Sequence, residues 1–138
     1  MPSLSKTHLP LQITGFDALY GLEIQSLGEE EASARVEVRP ELLEAGGEVH
    51  GGVYASIAES LASLATTKAV TADGKRAQGL SNHTTLLHPI ERGVVHATAR
   101  RRHRGRTTWV WEVEITDDEG RACALVRMTV AIRDAPAG

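Results

Sequence analysis

Glu59 is the one charged residue between Val53 and Thr67. A helix face bathed in water usually carries several Lys and Glu residues at three- or four-residue spacing. Here Ser56, Ser63, Thr66 and Thr67 share the acid's side instead, as expected where a face lines a cleft or meets another subunit. A carboxylate in such a place suits work as a general base or a nucleophile, and Ser63, one turn later, is placed to hold a water or steady it. Just before this stretch stand His50, Gly51 and Gly52. Two glycines at a helix start leave bare backbone amides at the positive end of the helix dipole, a setting that stabilises a tetrahedral oxyanion. Losing one good donor of that kind costs about 3 kcal/mol of transition-state stabilisation. His50 is expected to cap the helix or brace the loop. The same residues also fit a plain helix entry with a surface acid, and spacing alone does not choose between the two.

The elements that must carry these groups can be read from periodicity. Val53 to Ala69 contains no Gly or Pro, and Tyr54, Ile57, Leu61 and Leu64 form one stripe of a 3.6-residue period, which predicts a helix facing a core. Before it, Leu22 to Leu27 and Ala32 to Val38 alternate around Gly28-Glu29-Glu30-Glu31, a predicted hairpin. One short helical turn is expected near Phe16 to Tyr20. After the helix, strand character returns over Gln78 to Leu87, Val94 to His103, Thr107 to Thr116 and Arg121 to Ile132, with an Asp/Gly-rich turn at Asp117 to Gly120. Trp109, Trp111, Val113 and Ile115 share one face of the third of these. Strands, one long helix, then more strands predict an α+β domain with an antiparallel sheet packed on a single helix. A single domain over 1–138 is expected, with a loose arm over 1–19 and a loose tail over 134–138.

Composition narrows the function classes. At 138 residues the chain has the size of one domain, and a domain of this size gains from burying more surface by association. The formal charge of −3 provides no field to gather nucleic acid or an anionic membrane. Cys123 is the only cysteine, so no disulfide framework or thiolate metal cluster is available. His83, His88 and His96 lack the short spacings of a zinc site, and no metal is expected. No long apolar run suggests a leader or a membrane span, and a cytoplasmic location is expected. A phosphate-binding glycine loop, a Gly-x-Ser-x-Gly elbow and a dinucleotide fingerprint are absent.

Three segments in order, VHGGVYASIAESLASLAT, GLSNHTTLLHPIERG and TTWVWEVEITDDEGRACALVRMTVAIR, resemble the hotdog-fold thioesterases of the phenylacetate-degradation type. Within them the chain resembles the Arthrobacter-type 4-hydroxybenzoyl-CoA thioesterases. The resemblance runs from about residue 20 to 133. It implies a sheet wrapped around one long central helix, and hydrolysis of an aromatic or medium-chain acyl-CoA. Glu59 would attack the thioester or activate water, Gly51 would polarise the carbonyl, Ser63 would assist the acid, and His50 would be the histidine of the His-Gly-Gly turn. It implies no cofactor, coenzyme A being part of the substrate and a product. It also implies a homodimer with its sites at the subunit interface, commonly paired into a homotetramer. A non-catalytic acyl-CoA-binding hotdog protein is the competing reading.

Three positions depart from the family pattern. Glu44 stands six residues before the histidine, where a glutamine is usual; an ionised glutamate has no hydrogen to donate, which leaves Gly51 as the principal polarising group. His88 precedes Pro89 where an arginine is frequent, and Arg106 replaces a small hydroxyl residue, while Thr107 keeps the matching hydroxyl. Arginine forks suit the phosphates of coenzyme A, and in the run from Arg100 to Arg106 the expected phosphate ligands are Arg104 and Arg106. His83 and Thr84, on the strand that matches the family's acyl pocket, are expected to touch substrate.

Overall fold

The computed structural model describes residues 12–136. Most of the expected arm, residues 1–11, and the end of the expected tail, residues 137–138, lie outside the described residues. Helix α1 spans Gly15–Tyr20 and ends at Gly21, whose φ of 86° places it in the left-handed region that glycine tolerates. Strands β1 (Glu23–Leu27) and β2 (Glu31–Glu37) form the predicted hairpin. The following loop contains a 3-10 turn at Pro40–Leu42 and a bridge between Leu43 and Val49. Helix α2 covers Gly51–Val70, and strands β3 (Lys75–Leu86), β4 (Val94–Arg104), β5 (Thr108–Thr116) and β6 (Ala122–Asp134) complete the chain. Asp134, expected in the tail, still pairs with Lys75 across β6 and β3.

All six strands join one antiparallel sheet in the order β1-β2-β4-β5-β6-β3. The sheet wraps α2, the hotdog arrangement expected from the sequence. Trp109, Trp111, Val113 and Ile115 are buried, as the alternation in β5 requires. Tyr54, Ile57 and Leu61 meet them from the helix, joined by Ala58, Ala62 and Ala65. Cys123 is also fully buried, and burial raises its thiol pKa.

Thr66 departs from expectation. Helical spacing places it on the open face with Glu59, yet it is fully buried and accepts a 2.8 Å hydrogen bond from the Trp111 indole N–H. Its own hydroxyl donates to the Ala62 carbonyl at 2.8 Å. The open strip closes at this level because Trp111 of β5 meets Thr66 and β3 reaches the next residue, where the Ala77 N–H donates to Thr67 Oγ1 at 3.0 Å.

Strand β3 lies at the sheet edge and contains a bulge. Gly79 faces Val130 but Ser81 faces Thr129, so Leu80 is an extra residue without a partner. The extra residue reverses which side chains point at the helix. Beyond it Asn82, Thr84 and Leu86 stand opposite the buried Met128, Val126 and Ala124, on the inner face. Leu80, Leu86 and Leu87 are each more than half exposed along this edge.

Candidate active site

The start of α2 is built by its cap. His50 is the N-cap residue, and its Nδ1 accepts from the Gly52 N–H at 2.8 Å, so the expected capping role is observed. Ser56 Oγ donates to the Gly52 carbonyl at 2.8 Å one turn later. Among the described residues the Gly51 N–H has no acceptor, and it sits at the positive end of a 20-residue helix. A Cβ on Gly51 would come within 3.0 Å of Leu86 Cδ1, so β3 closes against the glycine from one side.

Glu59 is exposed in the single chain. Its carboxylate lies against β3, where a Cβ on Gly79 would come within 3.2 Å of Oε2. Ser63 is half-buried one turn further along. On the other flank Ser60 Oγ donates to Asp17 Oδ1 at 2.7 Å, and Tyr20 donates to the same oxygen at 3.1 Å. Burial drives the Tyr20 hydroxyl pKa far above its usual range and keeps it a donor. The helix α1 so anchored exposes Phe16 and Leu19. Together with Leu42, Leu43 and Val53 they line a cleft of about 460 Å³ that also touches His50 and Gly52.

Glu44 turns back on its own loop. Its Oε1 accepts from the Gly46 N–H and, at 3.5 Å, from the Glu48 N–H. The loop is closed further by Glu44 N–H to the Glu48 carbonyl at 2.7 Å. The side chain braces the turn that delivers His50 and presents no donor.

The remaining expected site residues are spread apart. The bulge sends His83 to the outer sheet face, opposite Arg127 and beside Arg100 and Arg102, whereas Thr84 points inward and donates to Asn82 Oδ1 at 2.7 Å. In a single chain the two side chains therefore leave opposite faces of the sheet. His88 lies near the start of α2, its N–H bonded to the Cys123 carbonyl at 3.1 Å. Arg104 sits 3.8 Å from Glu29 and over the Trp109 ring at 5.4 Å, and Arg101 is held in the same way by Glu29 and Glu30. Arg106 and Thr107 are exposed in the turn between β4 and β5. That turn lies beside Ile132, which pairs with Ala77 near the far end of α2.

Residues 46–124 match the family described as Thioesterase superfamily, over half of the chain. The chain belongs to the thioesterase superfamily. A Mycobacterium tuberculosis protein named as an esterase is 42% identical over 118 residues, covering 83% of this thioesterase and 84% of the relative. The solved structure of that relative superposes with a TM-score of 0.84 at 38% identity, over 88% of this chain and 98% of the other. A 1,4-dihydroxy-2-naphthoyl-CoA hydrolase of Listeria monocytogenes is 33% identical over 119 residues, 86% of this chain and 96% of its own length. A Staphylococcus aureus thioesterase, solved with a glutamine replaced by alanine, gives a TM-score of 0.83 at 26% identity, over 87% of this chain and 99% of that one. A second structure of it carries a glutamate replaced by alanine, fifteen positions after that glutamine. The present protein is a thioester hydrolase, and among its described residues no helix is long and apolar enough to cross a membrane.

One dimension of the thioesterase constrains its chemistry. Gly51 and Glu59 both belong to α2, and eight residues at 1.5 Å each put them about 12 Å apart along the axis. An amide and a carboxylate that far apart cannot serve the same carbonyl carbon, for which reacting groups must come within about 3–3.5 Å. Sequence reasoning had singled out both ends but not the features between them: the Leu80 bulge, the inward Asn82 and the Asp17 anchor. An isolated glycine inside a strand pattern, Gly79, was the available signal for the bulge.

Proposed function

We propose that the protein hydrolyses acyl-CoA thioesters at a site completed by a second copy of the chain, with Gly51 of one subunit and Glu59 of the other facing the same thioester. The observation that carries this is the separation of about 12 Å between the two groups in one helix. Two copies of α2 running antiparallel across an isologous interface bring each Gly51 to the other Glu59. The edge position of β3, with its exposed leucines, supports pairing of β3 with its counterpart, because an uncovered edge is a template for another strand.

In this reading the Gly51 N–H polarises the thioester carbonyl and holds the oxyanion. The Glu59 carboxylate takes a proton from water as it adds to the carbonyl carbon, and the proton then passes to the departing thiolate of coenzyme A. Direct attack by the carboxylate, giving an anhydride that water cleaves, uses the same two groups. Ser63 is assigned to hold the water and His50 to keep the helix start in place. Glu44 and Glu59 are fifteen positions apart, the spacing of the glutamine and glutamate replaced in the Staphylococcus aureus structures, which supports matching the two pairs. Glu44 would shape the loop rather than polarise the carbonyl. Arg106, Thr107 and His88 remain assigned to coenzyme A. An aromatic acyl group is favoured by the name of the Listeria relative, and 1,4-dihydroxy-2-naphthoyl-CoA and 4-hydroxybenzoyl-CoA are the first two esters to assay. A tetramer of two such dimers and a cytoplasmic location belong to the same proposal.

Subunit complementation tests it. Glu59→Ala removes the carboxylate, and Gly51→Pro removes the amide hydrogen at a first helical position, where proline is tolerated. Each variant alone is expected to lose about a thousandfold in kcat. Unfolded and refolded together in equal amounts, they should recover about a quarter of wild-type activity, since half the dimers are mixed and each has one intact site. Absence of recovery, with mixed dimers demonstrated by mass spectrometry, would refute the shared site.

A further inference from the structure

We infer that Asn82 and Thr84 are positioning residues for Glu59, acting through the carbonyl of Ala55. The inference rests on the reading of Glu59 as the catalytic carboxylate. Ala55 lies one helical turn before Glu59, so its carbonyl is the helical acceptor for the Glu59 N–H. The same carbonyl accepts a second hydrogen bond, from Asn82 Nδ2 on β3, at 2.9 Å. Thr84 Oγ1 donates to Asn82 Oδ1 at 2.7 Å, which fixes the amide with its oxygen toward Thr84 and its N–H toward the helix. The edge strand thus grips the helix turn that carries the acid, using two half-buried side chains.

Two further observations place this grip at the acid rather than elsewhere on the helix. Glu59 Oε2 lies where Gly79 has no side chain, 3.2 Å from the position of a Cβ, so β3 also shapes the space for the carboxylate. From the opposite flank, Asp17 holds Ser60, the residue next to Glu59. The Leu80 bulge is what aims Asn82 and Thr84 inward; with strict alternation from Gly79, Ser81 and His83 would face the helix instead. A bulge beside a reacting group re-aims side chains, and here the re-aimed pair meets the acid's own backbone. Thr84, expected from sequence to touch substrate, spends its hydroxyl hydrogen on Asn82.

The test is steady-state kinetics on the full-length protein, using whichever of 4-hydroxybenzoyl-CoA and 1,4-dihydroxy-2-naphthoyl-CoA the wild type turns over faster. Thr84→Val keeps the shape and removes the hydroxyl; it should lower kcat about five- to tenfold with KM within about twofold. Thr84→Ser, which keeps the donor, should restore kcat. Asn82→Asp keeps the shape but offers the Ala55 carbonyl no N–H, and should lower kcat more than Thr84→Val does. Thr85→Val, on the outer face, is the control with unchanged kcat. If Asn82→Asp fails to fold, the Thr84 pair decides. Wild-type kcat in Thr84→Val beside an inactive Glu59→Gln would overturn the inference, as would a raised KM at constant kcat, which marks a substrate contact. Undiminished turnover by Glu59→Gln would overturn the catalytic assignment itself and the inference with it, and so is told apart from failure of the grip alone.

Discussion

Strands β5 and β3 both flank the protein's hydrophobic core, one through the middle of the sheet and the other along its edge. In β5, Trp109, Trp111, Val113 and Ile115 point inward without interruption, and all are buried. In β3 the inward set changes phase at Leu80, and most of the strand is exposed in a single chain. A central strand has neighbours on both sides and an apolar face that one slip in register would expose, so period two is enforced. An edge strand has one neighbour and can absorb an extra residue. That freedom lets β3 present small and polar groups, Gly79, Asn82 and Thr84, to the helix beside Glu59.

Four variants probe this contrast, beginning with the largest effect. Trp111→Ala should cost about 3–5 kcal/mol, because it leaves a cavity in the enforced strand and strips the Thr66 hydroxyl of its donor; urea denaturation measures it. Deleting Leu80 attacks the permissive strand instead. Removing the extra residue leaves Asn82 and Thr84 opposite Met128 and Val126 but straightens the bend beside Gly79, and activity should fall about a hundredfold, the cost of misplacing reacting groups by an ångström or so. Circular dichroism should show the core intact; full activity in the deletion would break the contrast.

Thr66→Val is a smaller change with a sharper question. It should cost about 1–3 kcal/mol in thermal or urea unfolding, since the buried Trp111 N–H is left unpaired. The smallest effect belongs to the turn joining β5 to β6. Burial acts to raise the Asp117 carboxyl pKa, but the backbone N–H groups of Arg121 and Glu119 and the Arg121 guanidinium outweigh it, bringing it from 3.8 to about 2. A lowered folded-state pKa contributes stability above the unfolded value that is lost as pH falls through the folded one. Asp117→Asn should therefore reduce the melting temperature at pH 6, and the gap to wild type should close between about pH 4 and pH 2. A gap that stays constant over that range would show the carboxylate's charge to be irrelevant.

The same contrast explains what could be read in the sequence. Alternation in β5, the helix stripe, the hairpins and the His50 cap all follow from local pattern and local hydrogen bonding, and the structure matches them. Helical spacing does not reveal that Thr66 is covered, because which side of a helix a sheet covers depends on how the two cross, a tertiary property. His83 and Thr84 are both expected at the acyl pocket because both lie on the strand that matches the family's, but neighbouring strand residues leave opposite faces. Which of the two turns toward the helix is decided by the bulge that Gly79 marked. Arg104, expected to hold a phosphate of coenzyme A, is paired in the single chain with Glu29, which lies 75 residues earlier but within 3.8 Å in space. Composition cannot show that a positive run has already found its counter-charges.

The span of about 12 Å between Gly51 and Glu59 also has a kinetic meaning under the proposed shared site. Active sites then exist only in proportion to associated chains, so at concentrations below the dimer dissociation constant the hydrolysis rate should rise with the square of protein concentration rather than in proportion to it. A dilution series would reveal it as a falling specific activity, and freshly translated chains would stay silent toward cellular thioesters until each had met a second.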